Sequence, residues 1–333
     1  MKRVLIIATG GTIASTSDGA GLTPTATGRE LADKVPLLDT LAELDFVQPM
    51  NIDSTNMRPR DWLAIRDVIV DAYDNYDGFV VLHGTDTMAY TAAALSYLIQ
   101  DSEKPIVLTG SQQPMASPFT DAKLNLYQSV LYAADDASRD VAVVFSGKVI
   151  AGTRAHKQRT MSFNAFTSMN YPSLAYIRNN RVVHAGAGAP VGGEKTGASP
   201  RVFDGLNERV IVLKLTPELQ PSIFDLLKRD YDAVILETFG IGGIPDTLHD
   251  AIFGWVESGR TLVVTTQVPE EGLDLGVYEV GRAYAQNPGI LKGDDMTTEA
   301  LVAKTMWVLG QTREPAEVQR LFYQEINHDR MPR

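Results

Sequence analysis

The chain has 333 residues, a length that at roughly 100–200 residues per domain predicts two domains, each large enough to bury a core. A hydrophobic fraction of 44% and a charged fraction of 21% are those of a soluble globular protein, and a net charge of −11 argues against a nucleic-acid or anionic-membrane partner. There is no cysteine, so disulfides and thiolate chemistry are excluded, and the five histidines form no H-E-x-x-H spacing that would point to a metal.

Met1-Lys2-Arg3 and the apolar run at residues 4–8 have the polarity of a signal peptide. The run is far shorter than the roughly 7–15 residues of a signal h-region. We therefore expect the first strand of a cytoplasmic protein, and no apolar stretch approaches the roughly 20 residues of a membrane span. The strand feeds into Thr9-Gly10-Gly11-Thr12-Ile13-Ala14. Residues 15–27, rich in Ser, Thr, Gly and Asp, predict a lid-like loop, and residues 28–35 a short helix stopped by Pro36. A strand is expected at 46–50, a polar segment at 51–57, and an amphipathic helix from Pro59 to about 73 with Trp62, Ile65, Val68, Ile69 and Ala72 on one side.

Strands at 79–82, 106–108 and 141–145 then alternate with helices at 87–99 and 121–134. Such alternation predicts an α/β fold whose larger N-terminal domain is a doubly wound, mainly parallel sheet. Residues 148–176 read as irregular, and 181–201, rich in Gly, Ala and Pro, as a linker. A second alternation follows, with strands at 210–215, 233–236 and 261–265 and helices at 217–228, 245–257, 298–309 and 314–322. It predicts a smaller C-terminal α/β domain. The expected division is 1–184, a linker over 185–206, and 207–333.

The chemistry concentrates in two glycine turns, Thr9-Gly10-Gly11-Thr12 and His83-Gly84-Thr85-Asp86-Thr87. Each follows a buried-strand pattern, and an open parallel sheet binds ligands at the carboxyl ends of its strands. Neither turn is a dinucleotide fingerprint or a P-loop. The candidate nucleophiles are therefore hydroxyls, and a threonine needs a base to become one. A lysine serves if burial or a cationic neighbour lowers its pKa. Thr85, Asp86 and Lys157 make such a set. Asp86 suits a ligand ammonium, Ser54 and Thr55 a carboxylate, and backbone donors in the glycine turns an oxyanion, so the ligand is a small zwitterion. Plainer roles compete. Asp86 suits a cap for the helix starting at Thr87, Ser54 a turn residue, and Lys157 a solvated charge. His83 suits a packed histidine, and Met88, Met115 and Met161 core filler.

Taken together, the two turns resemble the paired signatures of the bacterial-type L-asparaginase family. Ile52-Asp53-Ser54-Thr55-Asn56-Met57, Thr109-Gly110-Ser111-Gln112, the 152–166 segment and Gly293-Asp294-Asp295-Met296-Thr297 resemble further family segments, the last of the type I, cytoplasmic branch. The resemblance spans essentially the whole chain. It implies hydrolysis of L-asparagine to L-aspartate and ammonia without a cofactor or metal. By position, Thr12 corresponds to the nucleophile that forms the acyl-enzyme. Thr85, Asp86 and Lys157 correspond to the second cluster, in which Thr85 places the water, Lys157 assists proton transfer and Asp86 also binds the substrate ammonium. Asp53, Ser54 and Thr55 match the segment holding the α-carboxylate and α-ammonium. The resemblance also implies a homodimer or homotetramer. Many members carry a tyrosine on the mobile loop to assist the first threonine. Residues 13–30 contain none, and Leu22 stands in that region. That leaves Thr16 or a more distant residue to activate Thr12.

Two other readings start from the same residues. One is an ammonia-releasing amidotransferase component acting on aminoacyl-tRNA, disfavoured by the acidic charge and by a chain that opens on its first strand. The other is a non-catalytic amino-acid-binding regulator, which the missing loop tyrosine would suit.

Overall fold

The computed structural model describes every residue except 18–21, 25–26, 36, 187–195, 277–278 and 332–333. It divides into two compact units, Met1–Asp204 and Gly205–Arg333.

The first unit is built on an eight-stranded sheet. Its parallel part runs, in spatial order, Val141–Phe145, Ile106–Thr109, Gly78–Leu82, Arg3–Ala8 and Glu43–Val47. Residues of both parities along these strands are buried: Val4 and Ile6, but also Leu5 and Ile7, and likewise Phe79 to Leu82. A strand buried on both faces reads as a continuous apolar run rather than an alternation, and it needs cover on both sides. The helix Ala122–Ala133 supplies part of it, with Leu126 and Val130 in one core with Val4, Ile6, Val80, Leu82 and Val107. The helix Pro59–Ala72, opened by its proline, buries Trp62, Ile65 and Ile69 and packs on Met88–Leu98. The strand expected at 46–50 lies at Glu43–Val47, because its register is set by pairing with Arg3–Ala8.

The segment 148–176 is more ordered than its sequence suggests. Val141–Phe145 turns back into the antiparallel strand Lys148–Ala151 through Ser146 and Gly147, at φ 50° and 77°. Ala175–Arg178 and Arg181–His184 complete the edge through Asn179 and Asn180, at φ 47° and 58°. Both are two-residue turns with φ > 0, which match the twist of a hairpin. A separate antiparallel pair, Ala155–Lys157 with Phe166–Ser168, puts Lys157 opposite Phe166. Within the expected lid, Ser15–Ser17 and Leu22–Pro24 pair as a short hairpin. Of the expected linker, 187–195 lie outside the described residues. Its end is tied to the first unit: Arg201–Val202 pairs with Ile99–Gln100, and buried Arg66 donates to Phe203 O at 2.6 Å and Asp204 Oδ1 at 2.5 Å.

The second unit holds a four-stranded parallel sheet, Val210–Lys214, Ala233–Thr238, Thr261–Thr266 and Ile290–Lys292. The helix Glu279–Gln286 and the strand Ile290–Lys292 lie where none was expected, and the helix expected at 217–228 contracts to Ile223–Leu227. Trp255, Phe224, Leu236 and Val264 lie in its core. No helix among the described residues is long and apolar enough to cross a membrane.

Candidate active site

The two glycine turns stand at the carboxyl ends of neighbouring parallel strands, and the backbone brings them into contact. Gly10 and Gly11 adopt φ of 107° and 80°, which double the chain back after Thr9. Gly11 N–H donates to Ile52 O at 3.1 Å, and Ile52 N–H donates to Thr9 O at 2.9 Å. A Cβ on Gly11 would overlap the backbone of Gly84, and one on Gly84 would stand 2.5 Å from Ser54 Oγ. Three segments far apart in sequence therefore meet, Gly11 and Gly84 backbone to backbone and Gly84 against the Ser54 side chain. Thr12 follows Gly11 and Thr85 follows Gly84, so both threonines border the place where the turns touch. Thr12 opens the 3-10 turn Thr12–Ala14, and Ile13 O accepts from Met115 N–H at 3.3 Å.

Lys157 arrives from the hairpin Ala155–Lys157. Its Nζ donates to Thr85 Oγ1 at 2.8 Å and to Asp86 Oδ1 at 2.5 Å. The lysine side chain is 18% exposed and that of Asp86 57%, so the ion pair is sheltered on the cation's side and wet on the anion's. Thr85 is buried and donates to Gln112 Oε1 at 3.2 Å. Asp86 is thus engaged with Lys157; the helix that follows begins at Met88 with Thr87 as N-cap, and no side chain caps it. Thr87 Oγ1 instead donates to Ser54 O at 2.7 Å, tying the second turn to the 53–55 segment.

In that segment Ser54 is buried, and Asp53 and Thr55 are exposed. Asp53 Oδ1 accepts from Thr55 N–H and Thr55 Oγ1, both at 2.9 Å, and so shapes the turn Ser54–Asn56. His83 is fully buried, as expected of a packed histidine. Gly84 O, 2.7 Å from its Nδ1, only accepts, so Nδ1 carries the proton and Nε2 faces Thr91 Oγ1 at 2.9 Å. Burial pushes its pKa down to about 4, so it is a neutral brace for the second turn.

The structure therefore brings Thr85, Asp86 and Lys157 into direct contact, places Thr12 across the Gly11–Gly84 contact, and sets Ser54 against Gly84. The side chains of Thr16 and Leu22 lie outside the described residues. Met88 and Met115 are buried, but Met161 is 77% exposed: the loop that carries it points outward, so it is not core filler. Nothing in the residue types of Gln112 and Asp121 marks them for the site. Gln112 belongs to a strand-end turn that the sequence does show, Thr109-Gly110-Ser111-Gln112, and that placement was the available signal. Among the described residues no group of acidic and histidine side chains is arranged to hold a metal.

Comparison with known proteins follows the same division of the chain. The family model described as Asparaginase, N-terminal, matches residues 3–187, and the model described as Glutaminase/Asparaginase C-terminal domain matches 209–322. The chain is 35% identical to an L-asparaginase of Thermococcus kodakarensis, over 97% of this chain and 98% of that protein. The solved structure of the thermostable L-asparaginase from that organism superposes with a TM-score of 0.90 at 34% identity, covering 99% of this chain and 100% of that one. A probable cytoplasmic L-asparaginase from Campylobacter jejuni superposes at 0.83 with 25% identity, covering 98% of this chain and 100% of that one. A glutamyl-tRNA(Gln) amidotransferase component of Methanopyrus kandleri is 32% identical over 98% of this chain and 74% of that protein.

Proposed function

Because the chain belongs to the asparaginase family of hydrolases, we propose that it is an L-asparagine amidohydrolase, converting L-asparagine and water to L-aspartate and ammonia through a threonine acyl-enzyme. The observation that carries this reading is the bonded set Lys157–Thr85–Asp86 at one strand end, pressed through Gly84 and Gly11 against the turn that holds Thr12. Thr12 Oγ1 attacks the side-chain amide carbon, its hydroxyl proton ends on the departing nitrogen, and the C–N bond breaks to release ammonia. Backbone N–H groups of the glycine turns stabilise the oxyanion. Thr85 then places a water against the acyl carbon, the water's proton passes to Thr12 Oγ1 as the ester bond breaks, and Lys157 assists that transfer through its hydrogen bond to Thr85, releasing aspartate. Asp86 takes the substrate ammonium, and Asp53, Ser54 and Thr55 hold the α-carboxylate and α-ammonium. No cofactor enters the scheme, and the reading includes a cytoplasmic homodimer or homotetramer, which light scattering would check.

Ammonia release from L-asparagine and L-glutamine, in wild type and Thr12→Ala, tests the proposal. We expect release from asparagine that falls by several orders of magnitude in Thr12→Ala. An unchanged rate in the variant would remove Thr12 from its role, and no release by wild type would remove the activity. Glutamine differs by one methylene, worth roughly 1–3 kcal/mol of discrimination, so its rate measures the pocket.

A second reading is favoured by the likeness to the amidotransferase component, a longer protein of which the match covers 74%. On that reading asparagine turnover would be slow and the chain would co-purify with tRNA or a partner protein.

A further inference from the structure

Gln112 takes no part in the scheme above, yet its Oε1 stands beside the Thr85 hydroxyl. A threonine hydroxyl has one proton and two lone pairs, whereas an ammonium has no lone pair. The Lys157 ammonium at 2.8 Å therefore gives a proton to Thr85 Oγ1 and cannot take one. The proton of Thr85 goes elsewhere, and Gln112 Oε1 lies 3.2 Å away. Which end of a glutamine amide faces a neighbour has to be argued from its partners. Ser162 O, which only accepts, lies 3.3 Å from Nε2. The nitrogen is thus turned to Ser162 and the oxygen to Thr85.

The backbone beneath Gln112 is held as well. Buried Asp121 accepts from Gln112 N–H at 3.1 and 3.0 Å and from Gln113 N–H at 3.0 Å. Asn125 Nδ2 donates to Asp121 Oδ2 at 3.1 Å and to Gly110 O at 3.0 Å. Buried polar networks with every member paired rigidify the groups they hold. With its backbone held and its amide nitrogen turned to Ser162, the side chain has its oxygen left for Thr85.

We infer that Gln112 is a positioning residue: its Oε1 takes the Thr85 hydroxyl proton and so leaves one Thr85 lone pair to accept a hydrogen bond from the water that attacks the acyl-enzyme. The use made of that lone pair rests on the asparaginase reading, but the direction of the proton does not. Without the acceptor, the Thr85 proton is free to turn to the Asp86 carboxylate or into the crevice, and the water loses its partner.

Neutron diffraction from D2O-exchanged crystals of the full chain tests the geometry. The Thr85 deuteron is expected on the line to Gln112 Oε1; a deuteron directed at Asp86 or into the crevice overturns the inference, whether or not the protein hydrolyses asparagine. Steady-state kinetics test the consequence. Gln112→Met, close in length but without the acceptor, is expected to lower kcat for asparagine by about tenfold or more with KM changed by less than about twofold. Gln112→Glu, which restores an acceptor oxygen, is expected to recover part of that loss. Unchanged kcat in Gln112→Met, or a loss confined to KM, would overturn the positioning role. Wild type that releases no ammonia would refute the asparaginase reading alone, and the deuteron would still decide the geometry.

Discussion

Gly11→Ala attacks the molecule where fold and chemistry are joined. Gly11 sits at φ 80°, in the left-handed region, and a side chain there costs about 1–2 kcal/mol. Its new Cβ would also overlap the Gly84 backbone. That backbone has little room to give: His83 N–H donates to Thr109 O at 2.8 Å, and His83 Nδ1 holds Gly84 O at 2.7 Å. Overpacking of this kind costs about 1–3 kcal/mol. The sum, about 2–5 kcal/mol, is a large share of the roughly 5–15 kcal/mol that stabilises a typical protein. If the turns separate to relieve the overlap, Thr12 moves away from Thr85 and Lys157, and a displacement of about 1 Å at a reacting group lowers rates about 100-fold. Urea unfolding and ammonia release, measured on the same preparation, read both effects. Gly259→Ala is the control, because Gly259 has φ 78° but nothing within 4 Å of a built Cβ. It should show only the conformational cost, about 1–2 kcal/mol, and wild-type kcat. Gly11→Ala with the stability and kcat of Gly259→Ala would refute the claim that the glycine contact sets the distance between the two threonines.

Burial, helped by the charge of Asp101, pushes the Asp140 carboxyl up to about 6 from 3.8. The folded state then binds more protons than the unfolded chain between those values, so stability is lost as pH rises through that window, by about 3 kcal/mol. Asparagine tolerates the φ of 55° at this position. Asp140→Asn should therefore gain about 1–3 kcal/mol at pH 7 and little near pH 3.5; a difference independent of pH in urea titrations would contradict this. In the second unit, fully buried Lys304 donates to Asp329 Oδ2 at 2.5 Å and Gln324 O at 2.6 Å. Burial holds its pKa down to about 8, against the pull of Asp329. Lys304→Met removes the ammonium in contact with a buried carboxylate and should cost about 3–5 kcal/mol, whereas Lys304→Met combined with Asp329→Leu should recover most of it. A single variant as stable as wild type would show that the pair is not what holds residues 324–330 in place.

Much of the first unit was legible because its signals are local. The strand Val141–Phe145 falls where its apolar run lies, and the helices Pro59–Ala72 and Ala122–Ala133 end within a residue or so of the expected bounds. Glycine and proline punctuate those elements, and periodicity within one element needs no partner. The hairpins after residue 148 were less legible. Asn179-Asn180 and Ser146-Gly147 are recognisable hairpin turns, but the strands beside them are only four or five residues long, too short for alternation to stand out. The strand Glu43–Val47 lies three residues before the expected 46–50 because its position depends on pairing with Arg3–Ala8 rather than on its own composition.

The sequence by itself determined which residue types are available for chemistry: threonines after glycine turns, one acidic neighbour, a lysine, no thiol. Their positions follow from strand ends, which local pattern marks. What only the tertiary structure decided is which of them meet. Lys157 lies 72 residues from Thr85, Ser54 is 30 residues from Gly84, and nothing in either neighbourhood encodes the distance to the other. Parallel pairing of the strands before Ser54 and Gly84 with Arg3–Ala8 sets the second distance, the first depends on the antiparallel pair that carries Lys157, and the absence of a side chain at Gly11 and Gly84 lets the backbones close. The direction of the Thr85 proton depends on a carbonyl at Ser162 that shares no motif with it. Hydrogen-bond direction is a property of three atoms in space, and spacing along the chain carries no record of it.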